Sequence, residues 1–160
     1  MRISISAVGR LKAGPETELS DRYRKRFDGG ARALGLGPIA ITEIPEARDG
    51  NPAVRKKDEA ERLLGRIDGG SVIIALDEHG RGLDSQLFAE LIRRYRDDGA
   101  GELSFLIGGA DGHGAQVLSA ARETLSLGPM TLPHGLARVV LLEQLYRALT
   151  ILSGHPYHRA

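Results

Sequence analysis

The sequence predicts an α/β fold, a mainly parallel sheet with helices on both faces. Three observations carry this expectation. Short apolar, β-branched runs alternate with longer amphipathic ones. Two of the short runs, residues 71–76 (SVIIAL) and 103–107 (LSFLI), are almost wholly apolar, as strands covered on both faces must be. The chain has 160 residues, no internal repeat, no low-complexity tract and no linker, which fits one domain over residues 1–160.

The elements follow in order. Residues 2–8 alternate and stop at Gly9, which reads as a strand, and residues 16–27 read as a helix behind Pro15. A second strand at 39–44 is stopped by Pro45. Residues 52–67 are helical and end near Gly69 and Gly70, just before the buried strand 71–76. Asp84 caps a helix through about Asp98, with Leu87, Leu91 and Tyr95 spaced by four. After strand 103–107, residues 113–123 read as a helix. Residues 125–132 form a short apolar segment broken by Gly128 and Pro129. The longest helix covers 136–152. Its apolar residues, among them Leu136, Val139, Val140, Leu142 and Leu149, cover more than one stripe, so one side can face the core and the other a second copy.

Composition narrows the function classes. Without cysteine there is no disulfide framework, thiolate metal site or cysteine nucleophile. The opening MRISISAVGRLK is too briefly apolar for a secretory h-region, and no run approaches the roughly 18 residues of a membrane span. A cytoplasmic protein with no membrane partner is expected. With 22 Lys+Arg against 21 Asp+Glu the net charge is +1, too small to hold nucleic acid by charge alone. Basic residues do cluster, at Arg22, Arg24, Lys25 and Arg26, at Arg55, Lys56 and Lys57, and at Arg93, Arg94 and Arg96. Taken alone, each cluster reads first as a solvated helix face.

Ligands of parallel sheets sit beyond the carboxyl ends of the strands. Three segments fall there. Gly108 to Gly114 follows a buried strand and opens a helix, so its glycines allow close backbone approach to a ligand. A tight turn without a ligand explains the same residues. Asp77 to Gly82 is either a polar turn or a site for a ribose or metal. Residues 125–134, LSLGPMTLPH, contain more turn formers than a plain strand needs and suit a backbone-lined pocket for a flat ring. A Rossmann oxidoreductase is disfavoured, because Gly9-Arg10-Leu11-Lys12-Ala13-Gly14 does not give G-x-G-x-x-G. The C-terminus, His155-Pro156-Tyr157-His158-Arg159, gathers two imidazoles, a phenol and a guanidinium, groups that stack on bases, hold phosphates and move protons. No third ligand accompanies the histidines, so no metal is expected.

LIGGADGHG, then LSLGPMTLPHGLARVVLLEQLYRALTI, then the terminal HPYHR closely resemble the RlmH (YbeA-like) family of ribosomal RNA large-subunit pseudouridine methyltransferases, in the SPOUT superfamily. RISISAVGRLK and the IPE after the second strand are similar to that family as well, so the resemblance spans nearly the whole chain. It implies an α/β knot, in which the chain near residues 125–134 threads a loop to make a trefoil. Pattern rules alone would reject a knot. It implies a homodimer that uses S-adenosyl-L-methionine to methylate N3 of a pseudouridine in the helix 69 loop of 23S rRNA on the assembled 70S ribosome. Leu76, Gly108, Leu127, Gly128, Pro129, Met130, Thr131 and Leu132 would line the cofactor pocket. Tyr157, His158 and Arg159 would reach an active site, that of the partner subunit. In the family, a basic, disordered-looking stretch often follows the second strand, here residues 47–51.

Methyl transfer from a sulfonium is an in-line displacement that needs no metal. N3 carries a proton at neutral pH, so a base helps. His158 is the first candidate and His155 the second. Arg159 and Arg147 would hold phosphates or the developing anion. Alternatively, His155 caps the last helix and Arg147 pairs with Glu143.

Overall fold

The computed structural model describes residues 1–158, apart from the side chain of His158. Five strands and five helices alternate: β1 (Arg2–Val8), α1 (Pro15–Ala31), β2 (Ile39–Ile44), α2 (Pro52–Leu64), β3 (Val72–Gly82), α3 (Ser85–Asp97), β4 (Glu102–Ile107), α4 (Ala115–Ala120), β5 (Glu123–Ser126) and α5 (His134–Ser153). The strands form one sheet in the order β2-β1-β4-β3-β5, and every pairing is parallel.

Parallel neighbours need crossovers, and right-handed crossovers decide which face each helix covers. The steps β1 to β2 and β3 to β4 run one way along the sheet, and β2 to β3 and β4 to β5 run the other. α1 and α3 therefore share one face, where α5 joins them, and α2 and α4 share the other. Two cores result. The larger contains Ile3, Ile5, Phe27, Ile74, Phe105, Leu141 and Leu145. The smaller contains Val8, Ala60, Leu63, Ala75, Leu106 and Val117. Alternate residues of one strand thus feed opposite cores, as the period of two requires.

Several elements differ from the sequence expectation, each for a visible reason. α1 runs beyond residue 27 through Gly29 and Gly30 to Ala31. Gly30 is a contact surface, because a Cβ there would lie 2.9 Å from Leu149 Cδ2. β3 does not stop at Leu76. It bulges at residues 77–80 and resumes, so that Leu76 and Arg81 both pair with Leu125. Gly80 lies so close that a Cβ would be 2.5 Å from the Leu125 carbonyl carbon. The helix expected over 113–123 shrinks to α4. Ala121 turns extended, Arg122 N–H bonds the Ile73 carbonyl at 2.8 Å, and β5 begins. Residues 47–51 are tied down: Ala47 N–H donates to Glu59 at 2.8 Å, Arg55 to the Asp49 carbonyl at 2.6 Å, and Arg62 to the Pro45 carbonyl at 2.8 Å.

Candidate active site

The three segments singled out at the strand ends meet around one cleft of about 780 Å³. Leu76 to His79 form one wall, Ile107 to His113 a second, and Ser126 to His134 a third, closed by Ala137 on the first turn of α5. A volume of this size accommodates a nucleoside-sized ligand. Of the expected cofactor residues, Leu76, Gly108, Leu127, Gly128, Met130, Thr131 and Leu132 line the cleft. Pro129 does not line it and is exposed.

The glycine loop is built for its own turn. A Cβ on Gly108 would meet the Gly112 carbonyl carbon at 3.0 Å and His113 N at 3.2 Å, so the first demand on this glycine is steric closure of the loop. Gly109 and Gly112 form a small antiparallel bridge, and Gly112 takes φ +78°, a left-handed conformation suited to glycine. His113 anchors the loop's exit. Its ring is buried, and Nε2–H donates to the Leu106 carbonyl at 3.1 Å. Burial pulls the His113 pKa below its ordinary value, so it sits as a neutral structural imidazole.

Two ion pairs brace the cleft. Arg55 on α2 grips Asp111 with Nε at 2.7 Å and Nη2 at 3.2 Å. That hydrogen bond holds the Asp111 carboxyl below its ordinary pKa. Lys56, next along, lines the cleft. Through Lys56 the basic cluster at residues 55–57 therefore touches the pocket. The other brace lies under α5. Arg138 is 2% exposed, yet it is a cation; it binds Glu43 through Nη1 and the Gly9 carbonyl through Nη2 at 3.1 Å. Glu43 also accepts from Leu11 N–H at 3.0 Å. Burial pushes the Glu43 carboxyl up, but the Leu11 N–H and the Arg138 guanidinium outweigh it and hold the pKa below the usual value. This pair joins the ends of β1 and β2 to α5. Sequence reading missed it, since nothing in LARVV marks its arginine as buried.

The expected catalytic residues lie elsewhere. From Ala137 at the cleft to Ser153 at the end of α5 the helix rises about 24 Å. Beyond Gly154, whose φ of +70° ends the helix, His155 N–H bonds the Thr150 carbonyl at 2.9 Å, and His155 Nδ1 accepts from Tyr157 N–H at 3.2 Å. Arg147 pairs with Glu143 at 2.7 Å. Tyr157 lies on α5, its ring centre 4.7 Å from that of Tyr146 and its hydroxyl 3.2 Å from Glu143. Burial, then Tyr23 and Glu143, push the Tyr157 pKa up to about 12. Tyr157, His155 and Arg147 are thus grouped together, far along α5 from the cleft of their own chain. The side chain of His158 and the whole of Arg159 lie outside the described residues.

An open parallel α/β sheet with a backbone-rich, apolar-walled cleft at its strand ends defines a small-molecule-binding enzyme of the α/β class. The chain belongs to the SPOUT methyltransferase family: the family model described as Predicted SPOUT methyltransferase matches residues 1–158. It is 51% identical to the Ribosomal RNA large subunit methyltransferase H of Bradyrhizobium diazoefficiens over 160 residues, 100% of both chains. It is likewise 51% identical to the protein of the same name in Rhizobium leguminosarum bv. trifolii, over 99% of each. Among solved structures it is similar to a Probable Methyltransferase from Bordetella pertussis Tohama I, with TM-score 0.51 and 17% identity over 92% of this chain and 93% of that one, which shows a shared fold. The family implies the trefoil knot expected at residues 125–134. Among the described residues, no helix is long and apolar enough to cross a membrane.

Proposed function

We propose that this chain is an S-adenosyl-L-methionine-dependent methyltransferase acting on N3 of a pseudouridine in the helix 69 loop of 23S rRNA, on the assembled 70S ribosome. One observation carries the reading: the cleft gathers Leu76, Gly108 and the 127–132 segment, distant in sequence, around a space fit for an adenosine-sized group. The walls suit that cofactor. Leu76, Leu127 and Leu132 offer apolar faces to a flat ring, and the small residues Gly108 and Gly128 let the backbone of their turns come close to it. Bound there, the cofactor supplies a methyl group on a sulfonium sulfur. The names of the full-length relatives, ribosomal RNA large subunit methyltransferases, support an rRNA substrate.

The active enzyme is a homodimer in this reading. None of the three expected residues Tyr157, His155 and Arg147 lines the cleft of its own chain: Arg147 stands about 15 Å along α5 from Ala137, Tyr157 packs beside it on Tyr146, and His155 follows the helix end about 24 Å away. A second copy laid against α5 would bring the tail, including His158 and Arg159, to the partner's cleft. Arg147, held by Glu143, and Tyr157, pinned on Tyr146, then position the tail, whose His158 and Arg159 would meet the RNA beside the partner's cleft.

Purified protein, labelled S-adenosyl-L-methionine and ribosomes lacking the modification would test this, with the label mapped on the rRNA. Label at N3 of the helix 69 pseudouridine is expected. Label elsewhere, or none, refutes the assignment. Mixing a tail-deleted variant with a cleft-blocked variant should restore about a quarter of wild-type activity, since half the dimers then hold one complete site. No restoration refutes the shared site.

A further inference from the structure

Three histidines line the cleft, and they differ in what they are free to do. His113 is buried, with its Nε2–H spent on the Leu106 carbonyl. His79 is 84% exposed on the outer bulge of β3 and leans on Asp77 at 3.2 Å. His134 stands where the cleft meets the ends of β1 and β2, its side chain 33% exposed. Among the described residues no hydrogen bond ends on either of its ring nitrogens.

The seating of this ring is specific. A Cβ on Gly9 would lie 2.8 Å from His134 Nε2, 3.0 Å from Cε1 and 3.2 Å from Cδ2. Such similar distances put that point over the face of the ring; along the in-plane axis of Nε2, the two carbons would be markedly farther away than the nitrogen. Gly9 therefore supports the face of the imidazole and leaves the Nε2 edge open. Glu46 lies on the other edge, with Oε1 3.8 Å from Nδ1. A carboxylate there favours the tautomer with the proton on Nδ1 and a lone pair on Nε2. Below, Arg138 fixes the Gly9 carbonyl and Glu43, and so fixes the floor on which the ring rests.

We propose that His134, seated on Gly9 and steered by Glu46, touches the acceptor base at the cleft and takes the proton from its N3. The proposal rests on reading the cleft as the methyl-donor site, and it gives the proton to a residue of the cleft's own chain, not to the tail. The acceptor N3–H bond breaks, a bond from Nε2 to that proton forms, and the freed pair stays on N3 as the lone pair that receives the methyl group. The new charge is shared by the two carbonyl oxygens that flank N3. The charged group against the ring is Glu46; nearby, Glu43 pairs with Arg138 and lies within the influence of Arg10, and Glu16 packs by Gly135, the next residue of α5. The pairing of Glu43 with Arg138 leaves Glu46 as the carboxylate against the ring.

His134→Ala and His134→Gln test this in the full-length protein. Calorimetry with S-adenosyl-L-methionine and sedimentation with unmodified ribosomes should give affinities within about threefold of wild type. Single-turnover methylation should fall at least about 10²-fold, the usual worth of a positioned base. Added imidazole should recover part of the rate in His134→Ala, where it can occupy the space against Gly9, and none in His134→Gln. Methylation within about threefold of wild type overturns the proposal and leaves the donor-site reading standing. Cofactor affinity lost in parallel with rate overturns it too, making His134 part of the donor wall. So does an inactive His134→Ala that imidazole fails to rescue. Wild-type protein that does not bind S-adenosyl-L-methionine would instead overturn the donor-site reading, and the proposal with it.

Discussion

Glu43→Gln should destabilise the protein more than Arg138→Met, although both break the same ion pair. The Arg138 side chain is 2% exposed and that of Glu43 29% exposed, so the cation is the deeply desolvated partner. Arg138 Nε already lacks a hydrogen-bond partner. Glu43→Gln leaves that guanidinium buried against a neutral amide, a situation that costs about 3–5 kcal/mol. Arg138→Met removes the buried charge and fills much of its stem volume. Glu43 keeps the Leu11 N–H and reaches water, so about 1–3 kcal/mol is expected. The gap of about 2 kcal/mol is roughly a factor of 30 in the folding equilibrium. Urea unfolding at pH 7 and fixed protein concentration measures both, and the double variant should resemble Arg138→Met. The folded Glu43 pKa lies below the ordinary 4.5. Its stabilisation is therefore complete above that value and lost as pH falls through the folded pKa, so wild type and Glu43→Gln should converge in acid. A Glu43→Gln variant no less stable than Arg138→Met would refute the burial argument.

Gly80→Ala should cost about 1–3 kcal/mol, because its Cβ would have to displace the backbone of Leu125 from 2.5 Å; thermal unfolding reads this, and an unchanged midpoint counts against the packing of the β3 bulge on β5. His113 has a depressed folded pKa, so its contribution is complete above the unfolded value of 6.5 and declines as pH falls, by at most about 1.4 kcal/mol per pH unit. His113→Gln should flatten stability against pH in that range, and an unaltered slope would show that other groups set it. Deleting residues 156–160 removes the contact of Tyr157 with Tyr146 and its bond to Glu143, for a loss of about 1 kcal/mol, while S-adenosyl-L-methionine binding stays as in wild type by calorimetry; lost binding would put the tail over the cofactor.

Legibility followed burial periodicity. β1 could be read from its alternation, β4 and most of β3 because strands covered on both faces must be apolar, and α3 because Asp84 caps it: its carboxylate accepts from Leu87 N–H at 2.7 Å. β5 could not. Its sequence, ETLS, buries only Leu125, and its first residue is a glutamate that accepts from Arg81, Arg94 and Tyr95. Such a strand is held by side chains of its neighbours, which no local pattern reports. The end of α1 was obscured because Gly29 and Gly30 resemble a stop, while Gly30 serves close approach to Leu149. At the site, the motif segments were legible as turns at strand ends, and the cleft unites them. His134 was legible only as the close of LPH. Its standing depends on Gly9, Glu46 and Arg138, which are distant in sequence and acquire meaning only when β1, β2 and α5 converge.

Convergence also resolves the apparent conflict between a net charge of +1 and an RNA substrate. The third basic cluster is spent internally: Arg93 on Glu90 and Asp97, Arg94 on Glu123, and Arg96 on Asp97 and the Leu34 carbonyl. From the first, Arg24 pairs with Asp21 and Arg26 lies over Tyr23 and Tyr146. Besides Arg26, no salt bridge among the described residues engages Arg22, Lys25, Arg32, Arg66 or Arg122, nor a further five, Arg10, Lys12, Arg48, Lys56 and Lys57. All five stand on segments that leave β1 or β2 at its carboxyl end or on the first turns of α2, the end of the sheet that holds the cleft. A phosphate responds to charges within a Debye length of about 8 Å at physiological salt, not to the sum over the chain. Carboxylates are not confined to the far side: Asp77, Glu78 and Asp111 line the cleft itself, with Asp111 taken by Arg55. The sum over the chain therefore does not report the local charge that an RNA strand would meet, which is set by Lys56, Asp77, Glu78 and Asp111 on the lining and by the basic residues on the loops around it.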